Sequence, residues 1–285
     1  MRRRHPNPSG GSVRSVYMFA CIFSALCTWG FICATPVTES RSAATVVVSG
    51  PIPKVIHQVW IGPENRAIRG WMDTFRGIPG WKHVLWTPEK FRQRYGDMVL
   101  QQQYDAEDVV QSKADILRYE VLWREGGVYV DADSVFLGDV GALNAVTQAP
   151  SSGMFVASHD FRLRSRDERN MRLYMNGVFG VTPRNPILLR VLNTLNDKYF
   201  ELKRRSGDAF YRVTGPFLFS HVVRSYRVSV YGRDVFAPGG WFYPASAVDP
   251  CGDLSHRMVM MRLKFPNAVM FQVGWSTHKR IFERC

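Results

Sequence analysis

Residues 112–137, SKADILRYEVLWREGGVYVDADSVFL, decide the fold because they place a helix, a stop signal and an acidic strand in direct succession. Ser112 is a residue type that caps helix N-termini, and Gly126–Gly127 is typical of a helix end. The sequence therefore predicts a helix that is capped by Ser112 and ends at Glu125. The apolar residues Val128–Val130 then predict a short strand.

Two acidic residues, Asp131 and Asp133, follow this strand directly. In extended backbone, residues i and i+2 project to the same side, so we expect the two carboxylates to converge on one ligand. Hard oxygen ligands of this kind suit Mn²⁺ or Mg²⁺ when a substrate diphosphate supplies the remaining oxygens. Two like charges held this close also favour a bound cation.

A second charged pair lies on the helix that leads into the acidic strand. Asp115 and Arg118 are three residues apart and therefore share a helix face. An ordinary exposed ion pair is the alternative interpretation, and such a pair contributes only about 0.2–0.5 kcal/mol.

The chain from Pro51 onward alternates strand-like and helix-like segments, which predicts an α/β architecture. The further predicted elements are strands at Val55–Ile61, Lys82–Trp86, Gly153–Ser158, Gly177–Thr182 and Ala268–Phe271, and helices between the first two strands and at Asn185–Phe200.

The N-terminal region contains an uncharged apolar stretch, Val16–Ala34, that matches the roughly 20 residues a helix needs to cross a bilayer. Four arginines precede it and the first charge after it is Glu39, so the positive-inside rule places the N-terminus in the cytosol and the bulk of the chain in a lumen. We therefore expect a cytosolic tail (1–15), a transmembrane signal anchor (16–34), a stem (35–50) and a catalytic domain (51–285). A cleaved signal peptide is the alternative.

The overall charge indicates the class of partner. A formal net charge of +13 over 285 residues favours anionic partners such as nucleotide diphosphates, phosphorylated lipids or acidic membranes. Nucleic acid is not expected as a partner, because the sequence has no zinc-finger spacing, aromatic RNP-like run or basic helix with heptads.

Four segments together resemble the DXD-motif glycosyltransferases of family 32, which include initiation-specific α-1,6-mannosyltransferases and mannosyl-inositolphosphoceramide synthases. They are IPKVIHQVWIG at 52–62, the helix and acidic strand at 112–137, MNGVFGVTPRNP at 175–186 and VTGPFLFS at 213–220. The resemblance implies a GT-A fold, which is a single Rossmann-like domain that binds a nucleotide sugar. It also implies a nucleotide-sugar donor, a glycan or glycolipid acceptor and a divalent metal ion, Mn²⁺ or Mg²⁺.

The resemblance further implies roles for particular residues of this chain. Asp131 and Asp133 would hold the metal, and the catalytic group would also include Asp115, Arg118 and Asn176. The residues implied in substrate binding are His57, Trp60, Tyr129, Thr214, Gly215 and Trp275. Trp60 would stack on or near the nucleotide base, with His57 in the same pocket.

The C-terminal segment departs from the family pattern. Family members close the site with a His-rich strand followed by Ser-Trp, whereas this chain has MFQVGWSTH at 270–278. Trp275 is expected to be the closing tryptophan. The expected upstream His position is apolar here, so His278 is the candidate for the third protein ligand of the metal.

The resemblance implies transfer of a hexose with retention at the anomeric carbon. From the charges around the apolar stretch, and because such an enzyme needs nucleotide sugar and divalent metal, we expect the activity in the Golgi or ER lumen. The donor is expected to be GDP-mannose or a UDP-sugar. Two alternatives remain open at this point. One is a haloacid-dehalogenase-like phosphohydrolase, in which Asp131 would be a covalent nucleophile and Asp133 a general acid. The other is a catalytically silent carbohydrate-binding membrane protein.

Overall fold

The structure is a computed structural model that describes residues 45, 50–63, 66–148, 150–160, 172–238 and 254–274. The expected membrane span Val16–Ala34 lies outside the described residues, as do Trp275 and His278. Across the described ranges, no helix combines the length and the apolar character that crossing a bilayer requires.

Nine strands are described, and they form two sheets. They are β1 (Val55–Val59), β2 (Lys82–Trp86), β3 (Gly127–Val130), β4 (Ser134–Phe136), β5 (Met154–Asp160), β6 (Arg172–Val181), β7 (Ser229–Tyr231), β8 (Phe236–Pro238) and β9 (Met270–Gln272). The six-stranded sheet has the order β2-β1-β3-β6-β5-β7, and the three-stranded sheet has the order β4-β9-β8. In the larger sheet, β1 is parallel to both β2 and β3, whereas β6 is antiparallel to β3 and β5.

Helices connect and cover the strands. They are α1 (Arg66–Asp73), α2 (Pro88–Tyr95), α3 (Gln101–Asp105), α4 (Val110–Glu125), α5 (Val140–Thr147), α6 (Pro186–Ser206), α7 (Phe210–Val213), α8 (Pro216–Val223) and α9 (Leu254–Lys264). The predicted α/β class is confirmed, and the larger sheet is mixed.

The central part of helix α4 is buried on all sides. Every residue from Asp115 to Leu122 is buried, including two charged side chains that form the candidate site. The prediction that Ser112 caps this helix is wrong, because α4 begins at Val110 and Ser112 lies buried within its first turn. The Glu107 carboxylate accepts hydrogen bonds from the backbone N–H groups of residues 108 and 109, at 3.0 Å each, and so orders the chain that enters the helix.

The two faces of the larger sheet pack into separate cores. Strand side chains alternate between faces, so Tyr129 packs on the side of α4, α6 and α8, whereas Val128 and Val130 pack on the opposite side with Phe75 and Leu143. Because Asp131 follows Tyr129 by two positions, it is directed toward the α4 side. This alternation brings the end of β3 to the charged face of α4.

The stop between α4 and β3 requires both of its glycines. Gly126 and Gly127 have φ values of +65° and +94°, a region that other residues rarely adopt. A Cβ atom on Gly127 would also lie 2.6 Å from the backbone oxygen of Val55 and 2.9 Å from Nε2 of His57. The predicted stop is therefore confirmed, and the same glycines allow β3 to pack closely against β1.

Most of the predicted elements are observed, with shifted ends. Strand β2 has the predicted bounds, and Asn185 caps a longer helix, α6, by accepting from the N–H of Ile187 at 2.9 Å. The predicted strand Gly177–Thr182 is the second half of β6, which begins at Arg172 and pairs with β5 across a bulge at Val156/Ala157.

The smaller sheet places the C-terminal strand beside the acidic motif. Strand β4 starts one residue after Asp133 and pairs antiparallel with β9, so that Ser134 lies opposite Gln272. The backbone N–H of Val273 also donates to the carbonyl of Asp133 at 2.7 Å. The described C-terminal part of the chain thus forms one wall of the candidate site.

Candidate active site

The two acidic residues lie in a tight turn and not in extended backbone. The N–H of Ser134 donates to the carbonyl of Asp131 at 3.0 Å, which closes a four-residue turn between β3 and β4. The prediction of an extended conformation across Asp131 and Asp133 is therefore wrong. The pair that shares a face by strand alternation is Tyr129 and Asp131, and the Tyr129 hydroxyl donates to Oδ1 of Asp131 at 3.1 Å.

The two carboxylates nevertheless approach the same group, the side-chain amide of Gln272. Its Nε2 lies 2.6 Å from Oδ2 of Asp131 and 3.5 Å from Oδ1 of Asp133. The two carboxylates therefore converge, as the sequence predicted, but the turn and not an extended strand brings them together.

Arg118 links the acidic turn to helix α4. Its Nη1 lies 3.0 Å from Oδ1 of Asp131, and its Nη2 lies 3.1 Å from Oδ1 of Asp115. Nη1 also donates to the backbone oxygen of Asn176 at 2.7 Å, and the guanidinium lies 4.5 Å from the ring centroid of Tyr129. The side chains of Arg118 and Asp115 are only 7% and 4% exposed, so the interpretation as an exposed surface pair is wrong.

Asp115 is held by a buried network. Its Oδ1 accepts from Nδ2 of Asn176 at 2.7 Å, and its Oδ2 accepts from the hydroxyl of Thr214 at 2.8 Å. Nδ2 of Asn176 also lies 2.9 Å from the Tyr119 hydroxyl, which donates to the backbone oxygen of Thr214 at 2.9 Å. The structure therefore brings together Asp115, Asn176 and Thr214 from three separate segments of the sequence.

Burial dominates the electrostatics of this network. Loss of solvation raises the pKa of Asp115 from 3.8 to about 6, although the neighbouring Arg118 acts to lower it. Burial also raises the pKa of Asp131, again against the effect of Arg118. Burial by itself would lower the pKa of Arg118, but Asp131, Tyr129 and Asp115 outweigh it and raise that pKa. The guanidinium therefore remains charged between two buried acids.

The structure places His57 in the core beneath the site. It is 1% exposed, its Nδ1 accepts from Nε1 of Trp86 at 2.9 Å, and burial lowers its pKa to about 3. Its Nε2 is buried against Gly127 and has no hydrogen-bond partner among the residues that the structure describes.

Trp60 directly follows β1, at the same edge of the sheet as Asp131, because β1 and β3 are parallel. It is half-buried and packs beside α1, and its Nε1 has no hydrogen-bond partner. Gly215 begins α8, and a Cβ atom there would lie 2.8 Å from Cα of Tyr211, so this glycine is required for close packing.

Three residues of the site were missed in the sequence. Gln272 bridges the acidic pair. Nε2 of Gln58 donates to the carbonyl of Asp131 at 3.1 Å, and Oε1 of Gln58 is 2.8 Å from Nε2 of His83. A Cβ atom on Gly177 would lie 2.5 Å from Oδ2 of Asp131. A polar residue inside the apolar strand β1 was the available signal for Gln58, since buried polar side chains require a partner.

The acidic turn suits a hard divalent cation. Asp131 and Asp133 direct carboxylate oxygens toward the side-chain amide of Gln272. This amide contacts them through its nitrogen, and it also has an oxygen that could bind a cation. Such oxygen donors suit Mg²⁺ or Mn²⁺ when a diphosphate completes the coordination. Within the described ranges, no cluster of three or more His, Cys, Asp or Glu side chains is positioned to hold a metal.

The family expected from the sequence is confirmed for this part of the chain. Residues 64–151 match the family model described as the glycosyltransferase sugar-binding region containing DXD motif. This segment includes α4, β3 and the acidic turn. The class that the segment defines is therefore that of the DXD glycosyltransferases.

The chain is also similar to curated relatives and to a solved structure. Inositol phosphoceramide mannosyltransferase 3 of Schizosaccharomyces pombe is 33% identical over 91 residues, which cover 30% of this chain and 25% of that protein. Inositol phosphoceramide mannosyltransferase 1 of the same organism is 29% identical over 182 residues, which cover 58% of this chain and 52% of that protein. The chain thus spans a quarter to about half of the length of these two relatives. The structure of PaToxG Glycosyltransferase has a TM-score of 0.44 and 22% identity, and the match covers 61% of this chain and 69% of that one.

Proposed function

We propose that this chain is a metal-dependent, retaining glycosyltransferase with a GT-A fold. It transfers a hexose from a nucleotide sugar to a glycan or glycolipid acceptor. The observation that carries the proposal is the buried chain of ion pairs from Asp115 through Arg118 to Asp131, at the point where the acidic turn meets Gln272. Asp115, Arg118 and Asp131 lie within the segment that matches the sugar-binding region.

The buried charges are preorganised. A charged group inside a protein needs an opposite charge and hydrogen bonds, and Arg118 provides both to two carboxylates. Charges that are already held in place are the condition under which electrostatic stabilisation of a transition state is strongest. Asp115 and Asn176 supply the oxygen and amide groups that can fix the hydroxyls of a sugar.

Asp131 and Asp133 would hold the divalent cation. When bound, such an ion neutralises charge on a diphosphate and so makes it a better leaving group. Arg118 keeps Asp131 in its position through the contact at 3.0 Å. Tyr129 and Gln58 fix the same residue at its side chain and at its backbone carbonyl. The proposal requires no dedicated general base, and His57, buried in the core, is not assigned that role.

Mannose is the leading candidate for the transferred sugar. The two relatives described above are named as mannosyltransferases that act on inositol phosphoceramide. We therefore favour GDP-mannose as the donor over the UDP-sugars, and an inositol phospholipid as the acceptor. The formal net charge of +13 suits both a nucleotide diphosphate and an anionic lipid.

The test is a panel of nucleotide sugars, with and without Mn²⁺, on the wild-type chain and on Asp133→Asn. A carboxamide is a poorer ligand for a hard cation, so the variant should lose Mn²⁺-dependent transfer while it unfolds at an unchanged temperature. Wild-type activity of this variant in the presence of Mn²⁺ would contradict the metal assignment. Donor binding without transfer or donor hydrolysis would favour the silent carbohydrate-binding protein.

The phosphohydrolase alternative is not favoured. In a haloacid-dehalogenase-like domain the strand with the D-x-D motif would open the domain, whereas here β1 and β2 precede β3 in the same sheet. A phosphatase assay that releases phosphate through Asp131 at a rate comparable with sugar transfer would revive this alternative.

We also propose that the catalytic domain lies in the lumen of the Golgi or ER, with Met1 in the cytosol. The arginines before Val16–Ala34 and the acidic Glu39 after it support this orientation. Protease protection on sealed microsomes tests it. Digestion of a C-terminal tag without detergent would place the domain in the cytosol, and a shortened soluble product would indicate a cleaved signal.

A further inference from the structure

Helix α9 has apolar side chains on two opposite faces. Met261 is buried, and Leu254, Met258 and Phe265 pack with it against α1 and the smaller sheet. Val259, Met260 and Leu263 lie on the outer face and are 51%, 46% and 74% exposed. A surface helix normally carries polar residues on its outer face, so this side of α9 is suited to an apolar partner.

Contacts with the rest of the domain hold α9 in one orientation. Nε of Arg262 donates to the backbone oxygen of Leu137 at 2.8 Å, just after β4. The inner residue Met261 belongs to the same buried cluster as Ile68 and Trp71 of α1. The outer face of α9 therefore presents its three apolar side chains together and does not depend on local unfolding to do so.

The charge around this face is positive. Residues 254–264 (LSHRMVMMRLK) contain basic residues but no acidic one. Part of the Arg257 guanidinium is buried and Arg262 is bonded to Leu137, so the basic side chain of α9 that contributes to this face is the exposed Lys264. The neighbouring helix α1 adds the exposed Arg66 and Arg69, and its acidic residue, Asp73, is paired with Arg76 at 2.9 Å. Exposed apolar side chains with cationic residues at their edges match a surface that is apolar in its interior and anionic at its boundary.

We propose that α9 is an interfacial docking helix that inserts Val259, Met260 and Leu263 into the surface of an anionic lipid bilayer. The exposed Lys264 then lies at the level of the acidic head groups. Anionic head groups attract nearby basic residues over about one Debye length. The proposal concerns a binding surface and is independent of which sugar the acidic turn handles.

The proposed docking surface is separate from the candidate site. Phe271 of β9 packs in the cluster that supports α9. Side chains alternate along a strand, so its neighbour Gln272 is directed to the other face, where it contacts Asp131.

The test uses the full chain reconstituted into bilayers that contain an acyl-chain quencher. A fluorescent amino acid replaces Leu263, or, as the matched control, Phe200, which is 47% exposed on α6 and belongs to no part of the α9 cluster. The bilayers consist of phosphatidylcholine alone or of phosphatidylcholine with phosphatidylserine. Because the readout is local to each position, attachment through another part of the chain does not produce it.

In the anionic bilayer we expect strong quenching of the probe at position 263. In the neutral bilayer we expect the probe at position 263 to be quenched no more than the control probe at position 200. Val259→Ser combined with Met260→Ser should reduce quenching at position 263 to the control level, while circular dichroism remains unchanged. Equal quenching at positions 263 and 200 in the anionic bilayer overturns the proposal. Equal quenching at position 263 in both bilayers overturns the assignment to anionic lipid. A lipid-independent change at position 263 that grows with protein concentration would show that a second copy covers this face.

Discussion

The amide nitrogen of Gln272 lies 2.6 Å from Oδ2 of Asp131, and the same nitrogen is 3.5 Å from Oδ1 of Asp133. The residue that contacts both carboxylates therefore has a neutral side chain. Like charges that lie this close destabilise each other unless a donor or a cation lies between them. Gln272 provides the donor.

The first prediction concerns the charge at this position. Gln272→Glu adds a third carboxylate, so we expect Mn²⁺ to bind about tenfold more tightly, which corresponds to about 1.4 kcal/mol. Without metal the same variant should be less stable than wild type because three acids then repel each other. Mn²⁺ titration followed by electron paramagnetic resonance measures the affinity, and thermal unfolding in chelator measures the stability.

Gln272→Ala is the control for this experiment, because it removes the amide without adding charge. It should weaken Mn²⁺ binding slightly or leave it unchanged. If the Glu variant binds Mn²⁺ no more tightly than the Ala variant, residue 272 does not face the metal and the proposed site is in the wrong place.

The second prediction concerns Arg118. Arg118→Ala would leave two buried carboxylates without their shared cation, which should cost about 3–5 kcal/mol in the free energy of unfolding and abolish transfer. Arg118→Lys should rescue stability in part but not activity, because an ammonium cannot reproduce the contacts of a planar guanidinium. Urea denaturation and a transfer assay provide the two readouts.

A matched surface pair shows whether burial is the cause. Arg205 and Glu201 are also on one helix, but their side chains are 70% and 53% exposed. Arg205→Ala should change stability by no more than about 0.5 kcal/mol and leave transfer intact, as is usual for exposed pairs. Similar costs for Arg118→Ala and Arg205→Ala would contradict the role given to the buried pair.

The contrast between these pairs shows what the sequence could and could not predict. Spacing alone correctly placed Asp115 and Arg118 on one face of α4, because helix geometry is local. It did not reveal that the central part of α4 is buried on every side, since burial depends on contacts with β6, α6 and α8 that lie far away in the chain. Gln272 was missed for the same reason, because 139 residues separate it from Asp133.

The backbone at Asp131 and Asp133 was mispredicted for a different reason. Strand alternation applies only while the chain remains extended, and the turn closed by Ser134 begins at the first carboxylate. Asp and Ser at 131–134 favour a turn, but the apolar pattern resumes at once in β4, so the pattern predicts a strand that continues across them. The pairing of β4 with β9, and not with the larger sheet, requires the chain to turn here.

The third prediction concerns Gly177. A Cβ atom at this position would lie 2.5 Å from Oδ2 of Asp131 and 3.4 Å from Nε2 of Gln272. Gly177→Ala should therefore displace the carboxylate, reduce transfer at least about tenfold and cost about 1–3 kcal/mol in stability through overpacking. Steady-state kinetics should show the loss mainly in kcat/KM at limiting Mn²⁺.

Gly70 provides the control substitution. It lies in α1, and a Cβ atom there would have nothing within 4 Å. Gly70→Ala should stabilise the protein by about 0.4–1 kcal/mol, because alanine has fewer conformations to lose on folding, and it should leave transfer unchanged. Equal activity of the two alanine variants would show that the close approach of Gly177 to Asp131 has no part in function.

The last prediction uses the buried His57 and depends on pH. Burial lowers its pKa from 6.5 to about 3, and the electrostatic effects of His83, Arg94 and Lys90 act in the same direction. Between these two values the unfolded chain binds a proton that the folded chain excludes, so stability rises with pH. The contribution of a neutral His57 is thus fully present above pH 6.5 and is lost as the pH falls toward 3.

His57→Gln keeps an acceptor for Nε1 of Trp86 but cannot be protonated in this range. Below pH 6.5 the free energy of unfolding of wild type should therefore fall more steeply than that of the variant, by up to about 1.4 kcal/mol per pH unit. Urea denaturation at a series of pH values measures both slopes, and the acidic groups common to the two proteins cancel in the difference. Parallel slopes would mean that His57 is accessible to protons in the folded state, as a residue lining an open nucleotide pocket would be, and the buried role assigned to it would then be wrong.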